Sequence, residues 1–378
     1  MFGWNMVWLA AYVLIMLRYH RGWQSLPEWE VPQNYIPKTQ VSILIPARNE
    51  AENIGNCIHS LLAQDYPEQL REIIVIDDHS EDDTPEIVRG FSGAGVKLIS
   101  LADHLPPGST QSFKKAAIET AVPLATGDWI ITTDADCVAG PQWLRHLASY
   151  WEITGVNMVA APVQFYREHN RLERFQSLDF LGMMLITAAG IKGRWMHLAN
   201  GANLSYSKQI FEAVGGMEGH RHLASGDDML LMHKVAHQFP GTIGFVKSKE
   251  AVVRTEAKPT WRSFLQQRIR WATKSRHYSE WKVTAVLAAV YFFCWTILLD
   301  MVLIPWLGWW AAGCFIASLT LKSATDYFFL GTAAKFFDRK ELMRSFGSAQ
   351  ALHLIYIVVV GTLGNVYKRY EWKGRRVQ

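Results

Sequence analysis

Val41-Ser-Ile-Leu-Ile-Pro-Ala-Arg-Asn-Glu50 is the stretch on which the fold of this chain turns. Its apolar run is short and ends at Pro46, which reads as a buried strand with a polar turn at its C-terminal end. Ala51 to Gln64 follows with Ile54, Ile58, Leu61 and Leu62 at helical spacing. The alternation then repeats. Glu72–Ile76 is a second strand ending at Asp77-Asp78, and Asp82–Phe91 a helix with Asp83 or Thr84 near its cap. Val96–Ser100 is a third strand, Phe113–Leu124 a helix, and Trp129–Thr133 a fourth strand ending at Asp134-Ala-Asp136. Strands alternating with helices predict an α/β domain with a doubly wound, mostly parallel, Rossmann-like sheet. Ligands of such sheets sit beyond the C-terminal strand ends. Here those ends carry Pro46–Glu50, Asp77-Asp78 and Asp134–Asp136, so three polar clusters converge on one crevice.

Around this core the chain is greasy. Of 378 residues 49% are hydrophobic and 19% charged, and the apolar residues are concentrated at the two ends. Phe2–Leu17 is nearly continuous and is followed at once by Arg18, His20 and Arg21. A cleaved signal peptide carries its positive charges before the apolar core. The reversed order predicts a signal anchor whose C-terminal end is cytoplasmic; a buried helix of a soluble domain is the alternative. Val283–Pro305, Trp306–Leu321 and Ala349–Val366 are further candidate spans. Asp300 inside the first is either packed against a polar neighbour or near an acceptor path. Three such spans put the basic tail (Lys368, Arg369, Lys373, Arg375, Arg376) outside, against the positive-inside tendency. Lys322–Phe346 as another crossing, or a re-entrant last segment, restores it. The expected organisation is an anchor over 1–22, a linker over 23–40 with Pro27, Pro32 and Pro37, and a cytoplasmic catalytic domain over 41–255. An amphipathic interfacial segment over 256–281, a transmembrane region over 282–366 and a basic tail over 367–378 complete it. This organisation predicts a multi-pass cell-membrane protein with the lipid bilayer as a partner.

The net charge of +4 and the absence of a basic stripe interleaved with aromatics argue against nucleic acid. The four cysteines form no C-x-x-C pair, which disfavours zinc, and Cys57 and Cys137 read as free thiols. Neither G-x-G-x-x-G after the first strand nor G-x-x-x-x-G-K-S/T is present, so phosphates are handled by other means. Asp134 and Asp136 offer hard oxygen ligands suited to Mg²⁺ or Mn²⁺ bridging a diphosphate. Asp77 or Asp78 is placed to accept from a base or ribose, or to cap a turn with Ser80. Arg48 and Lys115 either contact phosphate or base edges or are solvated charges. Asp227-Asp228 opens an apolar helix. The pair either complements the helix dipole or supplies a general base, which gives inversion at the sugar carbon. Gln267, Arg270 and Trp271 share one helix face. Arg270 is suited to a diphosphate and Trp271 to stacking on an acceptor, while the apolar stripe of Trp261, Phe264, Leu265 and Ile269 suits a helix lying on the membrane.

Taken in order, Val41–Glu50, Val75–Ser80, Lys114–Ala117, Thr126–Asp128, Thr133–Asp136, Asn200–Leu204, Gly226–Asp228 and Gln267–Trp271 make the chain similar to family 2 glycosyltransferases of GT-A fold. The resemblance covers roughly residues 41–275. It implies that Pro46, Ala47, Arg48, Glu50, Lys115 and one of Asp77 and Asp78 hold a nucleotide-sugar donor, usually of uridine. It further implies that Asp134 and Asp136 bind the metal and Asp228 is the base. Gln267, Arg270 and Trp271 match the Q-x-x-R-W signature at the donor, and Asn203 and Trp271 meet the acceptor. That signature is shared with polysaccharide-making members and with lipid-glycosylating ones such as ceramide glucosyltransferases, and Trp372–Arg375 resembles the ending of lipid-modifying relatives. Two departures stand out: Asp227 replaces the usual Glu, and Phe113 stands where glycine often precedes the lysine. The implied activity is inverting transfer of a hexose to a membrane lipid or polyprenyl-linked acceptor. The alternatives are a processive polysaccharide synthase and a non-enzymatic nucleotide-sugar-binding membrane component.

Overall fold

The computed structural model describes residues 2–105, 113–218, 226–273, 280–366, 370–372 and 375–377, with the side chains of 2–4, 227, 366 and the two terminal segments outside the description. The first half of the chain forms α1 (Phe2–Gln24), β1 (Val41–Ala47), α2 (Ile54–Leu62), β2 (Arg71–Asp77), α3 (Thr84–Arg89), β3 (Val96–Ser100), α4 (Phe113–Leu124), β4 (Trp129–Thr132), β5 (Val138–Ala139), α5 (Trp143–Thr154), β6 (Met158–Ala160), β7 (Val163–Tyr166) and α6 (Arg171–Lys192). The second half forms β8 (Leu204–Ser207), α7 (Lys208–Ala213), α8 (Asp227–Gln238), β9 (Ile243–Phe245), β10 (Val253–Glu256), α9 (Trp261–Thr273), α10 (Trp281–Leu307), α11 (Trp309–Phe336) and α12 (Phe346–Val366). Two compact units result. One holds Pro27–Gln164, His197–Glu256 and Glu371–Gln378; the other holds Met1–Leu26, Phe165–Met196 and Ala257–Tyr370.

The first unit is built on a sheet of order β3-β2-β1-β4-β8-β6-β9. β3, β2, β1 and β4 are parallel, as the strand–helix alternation predicts. β8 runs antiparallel to both β4 and β6, and β9 is parallel to β6. The sheet is therefore mixed, and the doubly wound expectation holds for its first half only. Val41, Ile43, Leu44 and Ile45 have no exposed surface, as befits a strand covered on both faces. Gly127 admits the chain into β4. A Cβ there would lie 2.6 Å from the Ser42 nitrogen and from the Val41 carbonyl carbon, so only glycine passes. Its N–H donates to Ser42 Oγ at 2.9 Å. Ser42 in turn donates to the buried Glu72 carboxylate, which also accepts from Lys97 and from the Thr126 N–H. This network ties β1, β2, β3 and the entry to β4 together. Residues 27–40 lack regular structure but are held within this unit. Trp29 Nε1 donates to Ser149 at 2.9 Å, and the Thr39 N–H donates to Glu152 at 2.9 Å.

The second unit is helical. α1 extends past the apolar run to Gln24, and the expected span Trp306–Leu321 is divided at Gly308: Trp306 and Leu307 end α10, while the rest continues through Lys322 to Phe336 as α11. α10 and the run Lys340–Asn365 are long and apolar enough to cross a membrane. Asp300 packs against a polar neighbour: Asn5 Nδ2 donates to it at 2.6 Å. Lys322 is fully buried, 2.6 Å from Asp326 one turn on.

Candidate active site at the strand ends

Because β2, β1 and β4 are adjacent and parallel, their C-terminal ends share one edge. Ala47 pairs with Asp77, and Leu44 with Thr132. Pro46–Glu50, Asp77-Asp78 and Asp134–Asp136 therefore open side by side. The reversal of β8 matters here. An antiparallel neighbour begins where β4 ends, so the loop Asn200–Asn203 reaches the same edge. There the Gly201 N–H donates to Asp228 Oδ2 at 2.9 Å, and the Met229 N–H caps Oδ1 at 2.8 Å. The sheet thus gathers the Asp134 and Asp228 regions, which are distant in sequence. The side chain of Asp227 lies outside the described residues.

Arg48 is nearly buried, and its guanidinium is used by the protein itself. Nη1 donates to the Asp78 and His79 carbonyls, both at 2.8 Å, and Nη2 reaches Glu81 at 3.1 Å. The Asn49 N–H donates to Ser80, and Asn49 Oδ1 accepts from the Glu81 N–H. Asn49 and His79 both adopt left-handed backbone, at φ 49° and 54°, a conformation such residues hold only when their surroundings impose it. Arg48, expected at the donor, is here a clamp between the two loops. Asp77 and Asp78 separate as well. Asp78 Oδ1 faces His79 Nδ1 at 3.0 Å. Asp77 Oδ2 accepts from the Ser80 N–H, while its buried Oδ1 has no hydrogen-bond partner among the described residues. A buried acceptor without a donor is costly unless a ligand completes it.

Asp134 and Asp136 bring their carboxylates, with the Cys137 thiol, within 4.8 Å of one another. Burial, then the charges of Asp136 and Asp134, push the Cys137 thiol well up, and its sulfur lies 3.8 Å from Asp136 Oδ1. The same causes, burial first, raise Cys57. Two carboxylate groups, Asp134 being 39% exposed, are then the ligands on offer, and this hard, open set fits Mg²⁺ or Mn²⁺. The lysine at this site is Lys114, whose Nζ lies 2.6 Å from Asp134 Oδ1. Lys115, singled out in the sequence, is 1% exposed within α4. Tandem lysines on a helix point about 100° apart, and nothing local says which one faces the acids.

Asn203, expected at the acceptor, is buried in the sheet-bearing unit. Its Oδ1 accepts from Trp143 Nε1 at 3.0 Å, and its Nδ2 donates to the Pro162 and Ala251 carbonyls at 2.8 and 2.9 Å. A buried amide bonded on both sides braces the loop. Gln267, Arg270 and Trp271 lie on α9 in the helical unit. One neighbour the motif does not include is prominent there. Arg268 is buried, sits 4.4 Å from the Trp271 ring centroid and pairs with Asp179 on α6 at 3.1 Å. Burial pushes the Asp179 carboxyl up, and Arg268 opposes it. Its alternation with two motif residues hid Arg268 in the sequence.

A mixed sheet with paired acids at its parallel strand ends is the arrangement of the GT-A fold. Residues 42–215 match the model of glycosyl transferase family 2, and residues 129–330 match glycosyl transferase family group 2. The chain belongs to the family 2 glycosyltransferases. It is 34% identical over 191 residues to glycosyltransferase AglE of Haloferax volcanii, covering 50% of this chain and 59% of that one. It is 29% identical over 133 residues to the beta-monoglucosyldiacylglycerol synthase of Trichormus variabilis, covering 34% of this chain and 28% of that one. The chain thus spans less than two thirds of the length of these curated relatives. Among solved structures it resembles the mannosyltransferase PcManGT from Pyrobaculum calidifontis, in complex with GDP-Man and Mn²⁺, at TM-score 0.57 and 21% identity, covering 95% of this chain and 98% of that one. That likeness supports the GT-A fold.

Proposed function

We propose that the protein transfers one hexose, with inversion, from a nucleotide-sugar donor to a membrane lipid or polyprenyl-linked acceptor. The observation that carries this is the meeting of Asp77, Asp134, Asp136 and the Gly201-held Asp228 at one sheet edge. Asp77 Oδ1 accepts the ring N–H of the base, uracil by preference. Asp134 and Asp136 would hold a divalent cation, which would offset charge on the nucleoside diphosphate leaving group. Asp228 takes the proton of the acceptor hydroxyl as its oxygen bonds to the anomeric carbon and the bond to the diphosphate oxygen breaks. Lys114 holds Asp134 in place through its ammonium group. By their motif alone, Gln267, Arg270 and Trp271 are assigned to the donor, and Trp271 also to the acceptor. The acceptor class is supported by the relative that glucosylates a diacylglycerol lipid. The membrane setting is supported by the apolar helices, with the sheet-bearing unit on the cytoplasmic side.

The test uses the full chain in detergent with UDP- and GDP-sugars, with Mn²⁺, Mg²⁺ or EDTA, with and without total lipid extract. Metal-dependent release of nucleoside diphosphate that rises with lipid, and a single-sugar product, is the expected result. Release that ignores both metal and lipid, or a long polymer as product, overturns this reading.

A further inference from the structure

Length and composition would let α12 cross a bilayer, but its contacts within the helical unit run the wrong way. Three other helices are aligned with one another. Asn5 meets Asp300, Trp8 meets Phe292 and Tyr12 meets Phe293, so α1 and α10 are antiparallel. Tyr12 also donates to Asp326, and Trp23 packs on Phe336, so α1 and α11 are parallel. Tyr12, Phe293 and Asp326 therefore mark one level of the bundle. α12 enters at that level: Gln350 accepts from Lys322 at 3.1 Å and donates to Asp326, and His353 lies 3.4 Å from Lys322. A helix crossing toward the α10–α11 turn would bring Gly361, about 16 Å further on, to the neighbourhood of Ile304. Gly361 instead meets Tyr291, whose ring would stand 2.5 Å from a Cβ there, and Thr362 Oγ1 is 2.9 Å from the Tyr291 hydroxyl. Gly364 then closes on Ala272 of α9. α12 travels sideways from α11 to α10 at almost constant level.

Exposed aromatics locate that level. Trp306, Trp309 and Trp310 at the α10–α11 turn are 74, 93 and 79% exposed, and Tyr327 and Phe328 are 52 and 74% exposed. Trp309 and Tyr327 stand about 27 Å apart along α11, close to the thickness of a hydrocarbon core flanked by aromatic belts. Asp326 is beside the second belt, and so is α12. The face α12 leaves open is an apolar stripe of Ala351, Ile355 and Val359.

We propose that α12 lies in the plane of the bilayer surface with this stripe against phospholipid, and that of the helices after residue 280 only α10 and α11 cross. The proposal rests on the membrane reading above. It leaves the C-terminal end of α12 on the side of the α11–α12 connection, in keeping with the positive-inside tendency for a chain with a basic tail.

Single Trp309→Cys, Lys340→Cys and Gln378→Cys variants of the full chain, in right-side-out and inverted vesicles, test it with an impermeant maleimide, the parent chain serving as blank. Trp309→Cys should label from one side, and Lys340→Cys and Gln378→Cys both from the other. Lys340→Cys and Gln378→Cys labelling from opposite sides overturns the proposal. Labelling of Trp309→Cys on the same side as Lys340→Cys overturns the membrane reading beneath it. Sugar transfer is assayed separately and does not enter either outcome.

Discussion

The Gly201 N–H holds Asp228 Oδ2 at 2.9 Å, across 27 residues of sequence. This bond orients a carboxylate at the head of α8 toward the edge where the Asp134–Asp136 pair lies. An Asp228→Asn variant keeps an oxygen for Gly201 but cannot take a proton. Transfer should fall by about 10²–10⁴-fold, with donor binding and melting temperature unchanged. Full activity in the purified variant would remove Asp228 from the chemistry.

Asp77→Asn tests the buried oxygen that has no partner among the described residues. Losing one ligand hydrogen bond of about 1.4 kcal/mol corresponds to roughly a tenfold rise in donor KM. The expected split is a raised donor KM with kcat nearly intact; an unchanged KM would place the base elsewhere.

Asp136→Ala removes one of the two carboxylates at the cation site. Titration with Mn²⁺ should then show activation lost or moved to much higher concentration, and EDTA should abolish the parent's activity. Retained activation with an unaltered midpoint would mean that the metal binds at another place.

Glu72 gives a pH prediction. Burial tends to raise its carboxyl, but Lys97, Ser42 and the Thr126 N–H outweigh this and hold it below the ordinary range. The unfolded chain therefore binds this proton at higher pH than the folded one. Its contribution is fully present above the ordinary glutamate range and is lost as pH falls through the depressed folded value. Glu72→Gln should lower the melting temperature at neutral pH and shrink the difference from the parent in acid. A constant difference across that window would refute the assignment.

Lys322 and Asp326 are buried together within the helical unit. Lys322→Met leaves Asp326 without its cation and should destabilise the protein by about 3–5 kcal/mol. Lys322→Met with Asp326→Asn should recover much of that, since no isolated charge remains. A double variant no better than the single one would show that the pair is not coupled.

The sequence by itself determined the parallel half of the sheet, because Val41–Pro46, Glu72–Ile76 and Trp129–Thr133 are apolar runs that only a doubly covered strand satisfies. It likewise determined which acids end those strands, since strand period and strand end are local properties. Only the tertiary structure decided the rest. The antiparallel sense of β8, which brings Gly201 and Asp228 to the site, follows from pairing with β4 and β6 and leaves no local mark. The choice between Asp77 and Asp78, and between Lys114 and Lys115, depends on which neighbour faces the crevice. Arg48 and Asn203 are of types that bind ligands, and only the fold shows what each touches: Arg48 donates to the Asp78 and His79 carbonyls and meets Glu81, while Asn203 accepts from Trp143 and donates to two carbonyls. In the helical unit, hydropathy marks α12 as apolar whether it crosses a membrane or lies along it. The contacts of Gln350 and Gly361 set its direction, because apolarity measures what a helix can be buried in and carries no information about the angle at which it is buried.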